Sequence, residues 1–563
     1  MPALTGVSRN RLLLFALCLT GLFLIANYSA YQGFFTGDDL DNMANARLVK
    51  WADIGRVLAQ PSLSGPKTFR AVGFSYYVVL VRTASMTYWP YVAGIHVIHL
   101  LNVFLLWLLA RALGAEYLGA GAAALLYFLH AAVFDAYWKP MYVVDLLCAT
   151  FTILALLAYV RGWLIPSLLF FWLALKSKET VILLPLVLLA LELFVGGRKW
   201  KRTLPFLAVS AFVGVQALLA NQHRDNDYTI RFTLPALWQS SRFYARWLLL
   251  IPYAGFAVLL LPFAFRNRRV WFGVLMFLVL LGPLLFLPGR LFAAYLYVPL
   301  LGLAIAVSAI ERPAWAALFF LLWIPWNYLQ FRSQEREELA AAADRRSWVT
   351  SVQDLLRVHP DIDTLVYDGV ATDLGSLGMS GLIRNYYPLR PSLAVWLYSP
   401  ESVEALQRPH AALVVWQQET RRVAALARGP DAPYIRLTLE APAWQLLRGW
   451  PGDQGSSRWI APSALARLYR PEDARVFEVV VPISQYYLDR LKKGRLDVKI
   501  DGALLGSAAL EKAELTTFRF PVPPGPAGPV EVEFIVTPPL KDPNAPGYLG
   551  QQIAAFGFLP PPQ

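Results

Sequence analysis

Cysteine is nearly absent from this chain. Two occur in 563 residues, Cys18 and Cys148, both inside apolar runs, so neither a disulfide framework nor a cysteine-based metal cluster is expected. Charge is also scarce: only 16% of residues are Asp, Glu, Lys or Arg, against 57% hydrophobic. With a mean hydropathy of +0.44, that balance points away from an ordinary soluble enzyme and towards the membrane class. There is no Walker A loop, no G-x-G-x-x-G and no Ser or Cys nucleophile motif. These absences argue against an ATP-driven pump and against a Rossmann sugar-nucleotide enzyme. Nucleic-acid motifs are missing too. The net charge of +13 is therefore read as basic cytoplasmic loops and not as a nucleic-acid footprint.

The apolar residues are unevenly spread. Runs of near-spanning length occur at 12–31, 90–111, 117–134, 141–160, 163–177, 180–196, 203–221, 247–265, 270–288, 291–309 and 314–331, which predicts about eleven transmembrane helices. The first follows Arg9 and Arg11 with no small-x-small cleavage site after it, and is read as a retained helix and not a signal peptide. One set of alternate connections holds Arg111, Arg161, "GGRKWKR" (196–202), "FRNRR" (265–269) and Arg312, with almost no acids. The positive-inside rule makes that set cytoplasmic. An odd number of spans then puts the remainder of the chain, from 332 onward, outside.

On this topology the out-of-place polar residues gather on the outer side. Asp38 and Asp39 lie in "FFTGDDLDNM" directly after the first helix, and Arg70 lies in the same loop. His96, His99 and Asn102 are in the outer half of the second helix, and His130, Asp135 and Lys139 link the third to the fourth. Asp145 follows just inside the fourth helix, Lys176, Lys178 and Glu179 link the fifth to the sixth, and Arg290 starts the tenth. Ionisable groups at membrane depth are costly and usually line a cavity; one outward-opening polar cavity accounts for all of them. Adjacent carboxylates such as Asp38 and Asp39 are equally at home in a solvated turn or where a proton must be taken. The His pair at i,i+3 fits inter-helix hydrogen bonding better than a metal site, because no carboxylate accompanies it.

Residues 332–433 combine a helical stretch, "EREELAAAADRRSWVTSVQDLLRV", with two short buried-strand candidates, "DIDTLVYDGV" and "HAALVVW", which suggests a small α/β region. From 434 to 563 alternating runs such as "RVFEVVVPI", "GRLDVKIDG" and "VEVEFIVTP", bounded by Gly and Pro, read as a β-sandwich of carbohydrate-binding-module type. Within it "LRGWPGDQGSSRWI" offers two Trp and two Arg that either face a glycan or belong to the core.

The polar motifs of 34–300, taken in order, resemble the polytopic GT-C glycosyltransferases that use polyprenyl-phosphate sugars. The protein O-mannosyltransferases, the TMTC-type enzymes and their bacterial relatives are the nearest branch. The resemblance rests on "FTGDDLDNMANARL", "TFRAVGFSYYVVLV", "GIHVIHLLNVFLLWLLAR", "LLYFLHAAVFDAYWKPMYVVDLL", "LALKSKETVILLP" and "GRLFAAYLYVPLLG". The chain departs from the pattern at Ala71, Ala131 and Asp135, and it lacks a TPR array. The resemblance implies a transmembrane catalytic domain over 1–331 in a bacterial inner (plasma) membrane. It also implies transfer of a sugar from a polyprenyl-phosphate donor to an acceptor hydroxyl of a protein, glycan or lipid on the extracytoplasmic side, by inverting single displacement. One carboxylate of Asp38 and Asp39 is then the base. Arg70, His96, His99, His130, Asp135, Lys139, Lys178, Glu179 and Arg290 contact substrate or phosphate. No metal ligand set is indicated, although relatives use a divalent cation. The alternatives are a lipid-linked glycan transporter or flippase, and a non-catalytic glycan-binding membrane scaffold.

Overall fold

The computed structural model describes residues 9–61, 70–220, 227–309, 313–418, 420–438, 440–451, 456–541 and 547–559, and for 9–16, 217, 218 and 220 the backbone only. The chain divides into two compact units, 1–343 and 344–563.

The first unit is helical. Among the described residues, three helices are long and apolar enough to cross a membrane: Trp89–Ala112, Pro140–Val160 and Arg268–Leu285. Two bent pairs, Tyr117–Phe128 with Ala131–Trp138 and Leu234–Leu249 with Ala254–Phe265, raise the number to five if each is one broken span. The other apolar runs are shorter or interrupted. The run at 180–196 begins as a 3-10 turn and becomes helical only over Leu184–Phe194, and that at 291–309 is helical only over Leu300–Val307. The run expected at 247–265 breaks through 90° between its two helices. Eleven apolar runs are therefore not eleven uninterrupted helices. Proline accounts for part of this: Pro185 and Pro262 each stand in the first turn of a helix, where a missing N–H costs nothing. Helix Pro313–Val358 runs for 46 residues, through the boundary expected at 331/332 and past the end of the first unit.

Small residues let these helices close together. Gly273 and Gly302 face each other across helices 268–285 and 300–307, and a Cβ at either would collide with the partner's backbone. Polar side chains tie the same bundle. His99 Nε2 donates to the Phe128 carbonyl at 3.0 Å and its Nδ1 meets the Tyr297 hydroxyl at 2.8 Å. Asn102 donates to the Leu146 carbonyl and accepts from Thr150.

The second unit carries the strands. Three short parallel strands, Leu393–Trp396, Thr364–Tyr367 and Ala411–Gln417, lie in that spatial order, and Arg422–Ala427 adds an antiparallel edge. Two antiparallel sheets follow. One orders Ala503–Leu510, Gly494–Ile500, Gly528–Thr537, Ser463–Arg470 and Leu446–Arg448; the other orders Leu515–Pro521, Val476–Pro482, Ala555–Leu559 and Tyr434–Arg436. Their alternation follows the pleat: Val530, Val532, Phe534 and Val536 are buried, while Glu531 is exposed. Trp450 belongs to this core. Its Nε1 donates to the Leu465 carbonyl, and its ring stacks on Phe556 at 5.3 Å. Trp459 packs against the same cluster, so of the two readings of that stretch it is the core one that both Trp follow.

Candidate active site

The two adjacent carboxylates have different surroundings. Thr36 caps helix Gly37–Leu48, and "TGDD" is a capping box: the Thr36 hydroxyl accepts from Asp39 N, and Asp39 reaches back to Thr36 N. Asp39 Oδ2 accepts from Thr36 N at 2.8 Å and from the Thr36 hydroxyl at 2.7 Å, while Oδ1 accepts from the Tyr77 hydroxyl at 2.7 Å. It is fully buried and its oxygens are engaged. Asp38, one residue earlier, is exposed.

Protein crowded around this accessible carboxyl pushes it above its ordinary value. The positive charge of Arg290 pulls it back, Asp41 adds to the rise, and Arg70 opposes it. Arg290 and Arg70 are thus the cations whose fields reach Asp38.

Arg290 follows helix Arg268–Leu285. Its Nη2 is 3.3 Å from the Tyr295 hydroxyl, and its guanidinium lies over Tyr228 and Phe292 at 4.5 and 4.9 Å. Its Nε is buried with no hydrogen-bond partner among the described residues. No carboxylate forms an ion pair with it among the described residues. A guanidinium held between aromatic faces with a buried N–H to spare is suited to an oxyanion.

The other cations are paired. Arg70 contacts Glu179 twice, Nη2 to Oε1 at 3.0 Å and Nε to Oε2 at 3.4 Å. Its backbone is left-handed, at φ 55°, a conformation that costs a non-glycine residue about 1–2 kcal/mol. Lys178 Nζ lies 2.7 and 2.8 Å from the two oxygens of Asp145 and 4.0 Å from the Tyr295 ring centre, in a buried setting. Tyr295 therefore joins the Lys178–Asp145 pair to Arg290. Lys139 is held by Asp135 at 3.0 Å and by Glu338 at 2.8 Å.

The other expected site residues lie in contact with protein groups. His96, His99 and His130 have both ring nitrogens occupied by protein. His96 uses Tyr31 and the Tyr137 carbonyl; His130 uses the Leu248 carbonyl and Ala132 N. At all three positions the ring nitrogens bridge elements of the bundle. Lys139 and Lys178 are neutralised by carboxylates, and Asp135 and Glu179 are the neutralising partners. Asp38 stays exposed, and Arg290 is the cation of this group with no ion-paired carboxylate among the described residues. Tyr228, Tyr295 and Glu338 were missed by sequence reasoning. The capping box was missed as well, although Thr36 and Asp39 stand at the spacing that announces one. Among the described residues no group of three His, Cys, Asp or Glu is placed to hold a metal ion.

No family model and no curated protein matches the chain. Two solved structures are similar to it. One is arabinofuranosyltransferase AftD from Mycobacteria, with 13% identity and a TM-score of 0.41, covering 98% of this chain and 61% of that one. The other is ArnT from Cupriavidus metallidurans bound to undecaprenyl phosphate, with 13% identity and a TM-score of 0.45, covering 75% of this chain and 99% of that one. This chain thus spans less than two thirds of the arabinofuranosyltransferase. At that level of likeness the chemistry is read from the site's own residues.

Proposed function

We propose that the chain is an integral membrane glycosyltransferase that moves a sugar from a polyprenyl-phosphate donor to an acceptor hydroxyl. The reading includes a polytopic arrangement of about eleven crossings, several through short or broken helices. It places Asp38 and the residues from 332 onward on the extracytoplasmic side of a bacterial inner membrane.

Asp38 takes the proton from the acceptor hydroxyl, and the oxygen attacks the sugar C1 from the face opposite the phosphate. The C1–O bond to phosphate breaks, and both electrons leave with the polyprenyl phosphate. Configuration at C1 inverts in one displacement, so no covalent nucleophile is required. Arg290 meets the growing phosphate charge through Nε–H and Nη–H, and Arg70 adds a second positive field. Lys178 and Asp145 hold Tyr295, which positions Arg290.

The observation that carries this reading is the asymmetry of the two acids. Asp39 is consumed by its own helix cap, whereas Asp38 is accessible and lies in the field of a guanidinium with a buried, unpartnered N–H. A catalytic base facing an anion site has that composition. The test is to reconstitute the full chain in sealed proteoliposomes with a panel of polyprenyl-phosphate sugars and a mixed hydroxyl-acceptor pool. Expected is release of polyprenyl phosphate with inverted configuration in the product by NMR. Movement of intact donor across the bilayer with no release would favour the transporter reading and overturn this one.

A further inference from the structure

We infer that the 344–563 unit carries a binding site for a neutral oligosaccharide, separate from the transfer site and independent of its assignment. The site is a cavity of about 450 Å³ at the end of the small parallel sheet, within the roughly 300–1,000 Å³ usual for small-ligand sites. Tyr367 and Trp396 close two neighbouring parallel strands and stand opposite each other in register. Ligands of open parallel sheets collect at the carboxyl ends of the strands.

Trp396 is half exposed yet held in place. Its Nε1 donates to the Asp368 carbonyl at 3.1 Å, and its indole edge lies 3.4 Å from where a Cβ on Gly369 would stand. Gly369 has φ +71°, so the position that admits the indole also favours glycine. Tyr398 is similarly exposed, edge-on to Trp396 with ring centres 5.3 Å apart. The pinned indole and the exposed ring beside it form an adjoining aromatic patch of the kind that marks a ligand-binding groove. Trp396, Tyr367, Glu401, Glu404 and Arg408 line the cavity, and Tyr398 stands next to Trp396 outside that lining.

The lining selects the ligand class. Two carboxylates disfavour a phosphate or another anion, and the single arginine offsets only part of their charge. Carboxylates accept hydroxyl hydrogens, the arginine donates to hydroxyl or ring oxygens, and an aromatic face takes the C–H side of a sugar ring. A neutral polyol with one apolar face satisfies all three; an apolar peptide leaves the charges unused. The pinned indole lowers the ordering cost of binding.

The test uses the full chain in nanodiscs, titrated separately with mannotriose, xylotriose and galactotriose while tryptophan fluorescence is followed. The phosphorylated hexose mannose 6-phosphate and an extended neutral hexapeptide serve as controls. Expected is saturable binding of at least one trisaccharide, weakened about tenfold or more by Trp396→Ala and by Tyr398→Ala, as loss of an aromatic anchor implies. Glu404→Gln should weaken it about fivefold and keeps the test informative should Trp396→Ala fail to fold. Binding of the hexapeptide alone, preference for the phosphorylated sugar, or absence of trisaccharide binding up to tens of millimolar would overturn the inference. So would trisaccharide binding that Tyr398→Ala and Glu404→Gln leave unchanged.

Discussion

Replacing Asp39 by Asn should damage the fold and leave the chemistry in place, although Asp39 adjoins the proposed base. The buried carboxylate accepts three hydrogen bonds at 2.7–2.8 Å. Asparagine keeps both Thr36 bonds if its carbonyl oxygen takes the place of Oδ2. Its amide then faces Tyr77, whose hydroxyl must turn from donor to acceptor. Hydrogen bonds to a charged group are worth about 1.5–3 kcal/mol each against about 1 for neutral ones, so the variant should lose roughly 1–3 kcal/mol of stability. Asp39→Ala strands the Thr36 N–H and the Tyr77 O–H in a buried site and should lose about 3–5 kcal/mol. The assay is thermal unfolding in nanodiscs, paired with turnover normalised to folded protein. Full stability with no turnover in Asp39→Asn would refute this reasoning and move the base from Asp38 to Asp39.

Arg290→Lys keeps the charge but cannot reproduce two parallel N–H donors; kcat/KM should fall about tenfold or more, read from turnover against donor concentration. The base must be ionised to act, and crowding raises the Asp38 value, so activity should fall with decreasing pH along a limb above the ordinary carboxylate value of about 3.9. Removing the largest lowering charge with Arg290→Ala should move that limb higher still, and a limb that stays put or moves down in the pH profile would count against the assignment. Lys178→Met or Asp145→Leu alone should each destabilise by about 3–5 kcal/mol, and the double variant should recover most of the loss; a double variant no more stable than the singles would show that the pair is not isolated.

The strands were the most legible part of the fold. The alternation in "VEVEFIVTP" and "RVFEVVVPI" follows a two-residue period that one buried face enforces, and strands lie over both stretches. Apolar runs were legible as runs but not as whole helices, because hydropathy is blind to where a backbone bends, as between Leu249 and Ala254. In the site, the grouping of charges near one side could be inferred from order along the chain. The pairing of those charges could not: Glu338 meets Lys139 from far along the sequence, and no local pattern announces Tyr228 beneath Arg290. The division between Asp38 and Asp39 was readable in principle, since "TGDD" places Thr36 three residues before Asp39, the spacing of a capping box.

The most direct measurement of the central claim is the turnover of Asp38→Asn, made in the same sample as its donor binding and its unfolding temperature. Asp38 is exposed and makes none of the cap bonds of its neighbour, so stability should be close to the parent's. Donor binding should persist through Arg290. Turnover should drop by about 10²–10⁴, the usual contribution of a positioned general base. A variant that binds donor, unfolds at the parent temperature and still transfers sugar at the parent rate would contradict the account.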